Sequence, residues 1–351
     1  MGLNKFGILL LVISFAIACK KHKPKDPVST NMSNGIIVLN EGLFQQNNSS
    51  LTWVDFTQNT SDNSFFETKI GRGLGDTGND MVRYGGKIYI VVNVSSTLEV
   101  LDAYTGKLIK QVLMQTGVGA AKQPRSITIS GGNVFVSCFD GFVDVLDTTN
   151  IQLVTRIAVG KNPDQICASG GNVYVSNSGG LDFPILDSTV SVISATSLTE
   201  TVKIVVGKNP GAIAADGQGN VFVAVRGNYS SVQPKFVKIS SSTNTISFTA
   251  NWSVSEITVV NNKLMMIAES GVSQAIWVYD IASNVIENTS FLSGATLTKP
   301  YHMQINPVTG LIYLTDAKNY TTTGELYEFN ASGSFLRKWN TGINPSKLLF
   351  Y

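Results

Sequence analysis

The sequence predicts an all-β fold, a seven-bladed β-propeller with four-stranded blades whose first blade is closed by the C-terminal strand. Three observations carry the prediction. The stretch Val159-Gly160-Lys161-Asn162-Pro163, followed by Ile166, Gly170-Gly171 and Asn172-Val173-Tyr174-Val175, recurs almost verbatim. Its second copy is Val206-Gly207-Lys208-Asn209-Pro210, with Ile213, Gly217-Gln218-Gly219 and Asn220-Val221-Phe222-Val223, an offset of 207 − 160 = 47 residues. Repeats of about 40–50 residues with several strands each are propeller blades. The strand after the tight turn recurs seven times, and between those markers lie short alternating strands with Gly, Asn and Asp turns and no helical periodicity.

Taken in order, the chain begins with a targeting segment. Lys5 supplies a positive n-region, and Phe6 to Ala18 is an apolar run too short to span a bilayer as a stable helix. Residues 1–18 therefore read as a signal peptide. Its end, Ala16-Ile17-Ala18, suits ordinary secretory cleavage, while a small residue directly before Cys19 resembles a bacterial lipobox. The second reading makes Cys19 the lipidation site and residues 19–34 a flexible tether, with the chain held to a membrane through its acyl chains.

The propeller occupies residues 35–351. Its marker strands start at Ile37, Ile88, Val134, Val173, Val221, Leu264 and Ile312, spaced between 39 (134 to 173) and 51 (37 to 88) residues, so seven modules fill the chain. Each module reads as an inner strand A after the proline, strand B after the Gly-Gly turn, then strands C and D. The chain enters at Gly35-Ile36-Ile37-Val38, already a B strand. It leaves at Asn344-Pro345-Ser346-Lys347-Leu348-Leu349-Phe350, an A strand with no B strand after it. The last strand is thus expected to complete the first blade and to hide edges otherwise open to aggregation.

Loop lengths separate two faces. The A–B and C–D turns are tight, as at Gly131-Gly132 and Thr148-Thr149-Asn150, and share one face. The B–C and D–A connections share the other and vary widely, and long loops on a rigid scaffold are where binding concentrates. The candidate ligand-binding residues on that face, around the mouth of the central channel, are Asn40, Glu41, Phe44, Arg72, Asp80, Arg125, Phe139, Asp164, Asn177, Phe183, Arg226, Tyr229, Trp252, Tyr301, His302 and Tyr320. Alignment of the strand A starts puts Asp80, Arg125, Asp164, Gly211, Ser255, Tyr301 and Ser346 at one equivalent position. Met81, Ser126, Gln165, Ala212, Glu256, His302 and Lys347 fall at the next. Simple pairing of Arg125 with Asp164 across neighbouring blades is the alternative to a ligand role.

Composition narrows the chemistry. A formal net charge of +2, with four lysines gathered at positions 20–25, gives no basic field for nucleic acid. Outside His22 the only histidine is His302, which rules out a multi-histidine metal site and leaves one residue for any Ser-His-Asp arrangement. No Cys-x-x-Cys-His haem motif and no phosphate-cradling glycine loop is present, and no cofactor is expected. Cys138 and Cys167 lie in strands of adjacent modules and read as buried, unpaired thiols, with a disulfide as the alternative in an exported protein. Acidic and amide residues at the mouth (Glu41, Asn79, Asp80, Asp164, Asn177, Glu256 and Asp316) leave a calcium-dependent hydrolase as a lesser alternative to a non-enzymatic binding protein.

The Val-Gly-x-Asn-Pro and Val-Tyr-Val-Ser-Asn segments resemble YVTN-type seven-bladed propellers. A closer resemblance spans nearly all of residues 35–351 and rests on Leu39-Asn40-Glu41-Gly42, Asn79-Asp80-Met81-Val82, Pro124-Arg125, Asp140-Gly141 and Gly160-Lys161-Asn162-Pro163. It continues in Asn177-Ser178-Gly179-Gly180, Pro300-Tyr301, Asp316-Ala317-Lys318-Asn319-Tyr320 and Gly342-Ile343-Asn344-Pro345. These segments look like the propeller lipoproteins of Bacteroidetes that accompany TonB-dependent outer-membrane receptors, among them the BtuG type, which captures cobalamin. The resemblance implies an outer-membrane, lipid-anchored protein on the cell surface that captures a small-molecule nutrient, vitamin B12 or another corrinoid, for a TonB-dependent receptor. The corrinoid would be a ligand and not a cofactor. A protein-interaction scaffold is the other reading. Lys20-Lys21-His22-Lys23, where surface-exported relatives carry acidic residues, leaves the periplasmic face as the alternative to the cell surface.

Overall fold

The computed structural model describes residues 32–270 and 273–351. The signal peptide, Cys19 and the tether up to residue 31 lie outside the described residues. Among the described residues, seven four-stranded antiparallel sheets follow one another, each with its strands in A-B-C-D order, and strand A of each blade contacts strand A of the next. The seven A strands are Pro345–Phe350, Gly78–Tyr84, Pro124–Ser130, Pro163–Ser169, Pro210–Ala215, Val254–Val260 and Pro300–Ile305, for blades 1 to 7.

Closure is as the chain ends require. The C-terminal strand pairs antiparallel with Gly35–Asn40, Ile36 opposite Phe350 and Val38 opposite Leu348, so blade 1 takes three strands from one end of the chain and one from the other. Leu348 and Ile36 are fully buried there.

Each neighbouring pair of blades shares a hydrophobic core, and the seven cores close a circle. Strand B supplies the largest share of it. Apolar residues run continuously through Ile88–Val92 and Val134–Val136 because both faces of the inner strands are covered. One short helix, Phe65–Ile70, interrupts the all-β pattern between blades 1 and 2. At six residues it is too short to show a period, and it forms because Phe65 and Phe66 bury in the core of that blade pair while Gly71 ends it in the left-handed conformation.

The repeated Val-Gly-Lys-Asn-Pro corner has a physical basis. The residue before strand A takes a positive φ in five blades, at Thr77, Gln123, Asn162, Asn209 and Asn344, a conformation that asparagine tolerates better than most. At Gly160 a Cβ would overlap the amide of Asn177, whose Oδ1 accepts the Gly160 N–H at 3.1 Å. The serine of Val-Tyr-Val-Ser ties blades together. Ser176 Oγ accepts the Gln165 N–H of its own blade and donates to the Gly211 carbonyl of the next, at 3.1 and 2.8 Å. Ser137 repeats this from Ser126 to Asp164.

Cys138 and Cys167 are both free. Burial pushes both thiols up, that of Cys167 to about 12, so they pack as small apolar residues.

Candidate functional site

Every strand A begins with a bulge or register shift after its first residue or two, where Gly78 pairs with Val92, Pro124 with Cys138, Pro163 with Asn177 and Pro300 with Asp316. Gly78 thus takes the place of the proline in blade 2. The equivalent of Arg125 is Asn79, not Asp80, one residue from the alignment read in the sequence, because that blade has no proline to anchor the count. The first ring is therefore Asn79, Arg125, Asp164, Gly211, Ser255, Tyr301 and Ser346, and the second is Asp80, Ser126, Gln165, Ala212, Glu256, His302 and Lys347.

Asn79, Arg125, Ser255, Tyr301 and Ser346 of the first ring, with Gln165, Ala212 and Glu256 of the second, rim a cavity of ≈ 180 Å³ on the variable face, which Glu41, Arg226, Tyr320, Glu269 and Gln274 complete from their loops and strand ends. All of the second ring except Ser126 lines a channel cavity of ≈ 330 Å³ together with residues deeper in the A strands. That ring is bonded around much of its circumference. Lys347 Nζ meets Asp80 Oδ1 at 3.0 Å, Ser126 Oγ donates to Asp80 Oδ2 at 2.6 Å, and His302 Nδ1 lies 2.6 Å from Glu256 Oε1. Ala212 is the one apolar member.

Asp164 is nearly buried and bridges two arginines, Arg125 Nε to Oδ1 and Arg226 Nη1 to Oδ2, both at 2.9 Å. Burial works against its charge, but Arg226 and Arg125 outweigh it and hold the carboxyl below the usual range. Across from them Glu41 accepts from Tyr301 Oη at 2.9 Å and from Asn79 Nδ2 at 3.4 Å. Its burial outweighs the lowering pull of Arg125 and those hydrogen bonds, and the carboxyl is raised. Tyr320 meets Tyr301 edge-on at 5.8 Å.

Beside the mouth lies a second cleft of ≈ 280 Å³, walled by Phe139, Leu181, Phe183, Leu186 and Tyr229. It shares Arg125 and Arg226 with the mouth. Phe183 and Tyr229 are 62% and 71% exposed, unusual for aromatic side chains with no protein partner on one face. The Arg125 guanidinium lies over the Phe139 ring at 5.8 Å, and Tyr229 Oη accepts from Asn209 Nδ2 at 2.9 Å.

The long loops are held in place by their own polar side chains. Asp76 accepts the Gln45 and Asn47 N–H groups, Asp187 those of Lys161 and Thr189, Asp316 those of Thr298, Lys299 and Lys318, and Asn228 those of Ser230 and Val232. The face is therefore preformed, which lowers the ordering cost of binding.

Of the sixteen candidates, Glu41, Arg125, Arg226, Tyr301 and Tyr320 meet at the mouth, Asp164, Phe139, Phe183 and Tyr229 line the adjoining cleft, and Asp80 and His302 sit in the channel below. Five are placed elsewhere. Asn40 and Asn177 are fully buried: Asn177 Nδ2 donates to Thr189 Oγ1 and Ser191 Oγ, and Asn40 Nδ2 to Thr52 Oγ1, all at 2.9 Å. Trp252 packs among Phe236, Phe248, Trp277 and Tyr279 in the core of blades 5 and 6. Arg72 pairs with buried Glu99 at 2.8 Å on the outer part of blade 2. Phe44 is 68% exposed on its loop and lines neither the mouth nor the cleft. Residues outside the candidate set, Asn79, Gln165, Ser255, Glu256 and Ser346, also reach the mouth. Their signal was positional: each lies one or two residues into strand A.

A larger, mostly apolar cavity of ≈ 570 Å³ lies between blades 6 and 7 on the tight-turn side, lined by Met265, Val278, Phe291 and Ile312. Its polar lining, Asn261, Asn288, Asn306 and the paired Lys263 and Glu287, comes from two blades only, whereas the mouth gathers side chains from all seven, so the smaller mouth is the better candidate. Among the described residues no three His, Cys, Asp or Glu side chains gather as a metal-ligand set.

A family model described as "Domain of unknown function (DUF5074)" matches residues 34–344. No curated protein matches the chain in sequence. Among solved structures, the chain is similar to a quinoprotein alcohol dehydrogenase-like protein from Bacteroides thetaiotaomicron VPI-5482, with 18% identity over 91% of this chain and 79% of that one and a TM-score of 0.68. Hydrazine synthase of Kuenenia stuttgartiensis is similar at 14% identity over 77% and 88% of the chains, with a TM-score of 0.61. The computationally designed Ika8 protein is similar at 13% identity over 88% and 87%, with a TM-score of 0.57. At such identities the likeness is one of fold.

Proposed function

The chain belongs to the DUF5074 family, and we propose that it is a non-enzymatic capture protein whose ligand lies across the channel mouth and the adjoining cleft. The observation that carries this reading is convergence. Side chains from the starts of all seven A strands and from several B–C loops meet at one preformed polar mouth, and a wall of exposed aromatic residues begins where the two arginines end. Such a surface suits a wide, partly flat ligand with hydrogen-bonding groups at its edge: the rings of Phe139, Phe183 and Tyr229 take an apolar face, and the guanidinium and amide groups take carbonyl oxygens.

The resemblance of the sequence to lipoproteins beside TonB-dependent receptors makes a corrinoid the first ligand to test. It also makes Cys19 the lipid anchor, the outer membrane the location and a TonB-dependent receptor the recipient. Calorimetric titration of the purified protein with cobalamin and with cobinamide tests the reading. Saturable heat with one site per chain is expected, together with a loss of affinity in Tyr229→Ala and Arg125→Ala. No heat and no co-elution at micromolar concentrations would sink the corrinoid reading. Acyl-chain labelling that survives in the wild type and disappears in Cys19→Ser tests the anchor.

A scaffold that docks a partner protein is the second reading, favoured by the exposed Leu181, Phe183, Ile185 and Tyr229 on the same loops. It predicts a stable complex with an outer-membrane receptor that forms without any small ligand.

A further inference from the structure

Arg125 and Arg226 carry more hydrogen-bonding capacity than the protein uses. Arg125 donates only through Nε, to Asp164, and Arg226 only through Nη1, to Asp164 and at 3.4 Å to Asn209. The other guanidinium nitrogens have no protein acceptor among the described residues, and the two side chains are 24% and 33% exposed toward the cavities they line. Two guanidiniums share one carboxylate through a single nitrogen each, and Glu41, which Tyr301 and Asn79 hydrogen-bond, acts on Arg125 by charge without a direct hydrogen bond.

The backbone is shaped for this arrangement. Gly211, in the same ring as Asp164, has no side chain, and a Cβ there would overlap the Arg226 guanidinium. The arginine lies over bare backbone, its Nε and Nη2 against Gly211, and lines both cavities. Paired guanidinium forks with unused N–H groups match the geometry of phosphate or carboxylate oxygens.

We propose that the edge of the mouth between Arg125 and Arg226, over Gly211, is an oxyanion subsite that binds a phosphate or carboxylate group of the captured ligand. The inference rests on the capture reading and specifies its chemistry. Asp164 fixes both arginines by one nitrogen each and leaves the rest to the ligand. Phe139 beneath Arg125 and Tyr229 beside Asn209 place the apolar part of that ligand next to its anionic group.

The chain has six arginines, so their side-chain Nε–H signals can be followed singly by NMR. The purified protein is titrated with inorganic phosphate and, separately, with acetate, at ionic strength matched with chloride. Saturable shifts at Arg125 and Arg226, with Arg72, Arg83, Arg156 and Arg337 unmoved, are expected. The anion that saturates at the lower concentration identifies the group. Arg226→Met should weaken that binding roughly tenfold, the loss of one charge-assisted contact. If that variant unfolds, Gly211→Ala displaces the same guanidinium and gives the same reading. Absence of saturation, or equal shifts at all six arginines, overturns the subsite. If cobalamin binds but phosphate does not compete and Arg226→Met changes nothing, the subsite fails and capture stands. If phosphate binds at Arg125 and Arg226 while neither corrinoid does, the subsite stands and the corrinoid reading fails.

Discussion

Replacing Gly211 with alanine separates the site from the fold. Gly211 has no left-handed φ, so alanine meets no backbone strain there. The new Cβ would overlap Arg226 Cζ and lie 2.7 Å from Nε, so to reach ordinary contact at 3.4 Å the Nε must retreat 3.4 − 2.7 = 0.7 Å and Cζ further. The obstacle is the free end of a flexible side chain, and the arginine yields before the backbone does. Its bond to Asp164, 2.9 Å long, is then broken. A charge-assisted hydrogen bond contributes about 1.5–3 kcal/mol, but with Arg226 one-third exposed and Arg125 still on Asp164, about 0.5–1.5 kcal/mol is the reasonable loss. Alanine in place of glycine restores roughly 0.4–1 kcal/mol through the unfolded chain. The melting temperature should therefore move little, while ligand affinity falls roughly tenfold or more. Thermal melts and calorimetry on one preparation measure both. A large drop in melting temperature with unchanged affinity would refute the reasoning, because it would mean that Gly211 serves the backbone and that Arg226 is not at the site.

Three further outcomes follow from the same geometry. Deleting residues 344–351 removes the strand that closes blade 1, and the chain should lose its cooperative melt and aggregate through the exposed edge of Gly35–Asn40; a monomeric, two-state truncation would contradict closure. Asn177→Ala should cost about 1–3 kcal/mol by orphaning the Gly160 N–H and removing the donor to Thr189 Oγ1 and Ser191 Oγ, with ligand affinity unchanged, since Asn177 is buried under the corner. Burial raises the Glu41 carboxyl, so the folded state holds its proton to a higher pH than the unfolded state does. Stability from this group is present below the ordinary value of 4.5 and declines as pH rises through the folded-state titration. Glu41→Gln should flatten that part of the pH–stability curve, and an unchanged curve would remove Glu41 as its source.

The architecture was readable because it is written seven times. Strand B, the tight turn and the Asn-Pro corner recur, and the unpaired strands at the two chain ends dictate how the ring closes. The variable face followed from loop length alone. Individual site residues were harder, because a residue type does not reveal which way a loop turns it. Asn40 and Asn177 look like ligand-facing amides but close a corner inside the blade. Trp252 looks like a rim aromatic but fills a core that Phe236 and Tyr279 begin. Arg72 is drawn off by Glu99, a buried acid whose need for a partner is invisible at 27 residues' separation. The channel positions of blade 2 slipped by one because Gly78 stands where five other blades have proline, and only strand pairing restores the count.

The most direct measurement of the central claim is hydrogen exchange across the whole protein with and without saturating cobalamin. Binding at the mouth predicts protection in the loops at 178–188, 226–234 and 317–322 and at the starts of the A strands, with the tight-turn face unchanged. Protection centred instead on the tight-turn side between blades 6 and 7, around Met265 and Phe291, or no protection anywhere, would contradict it.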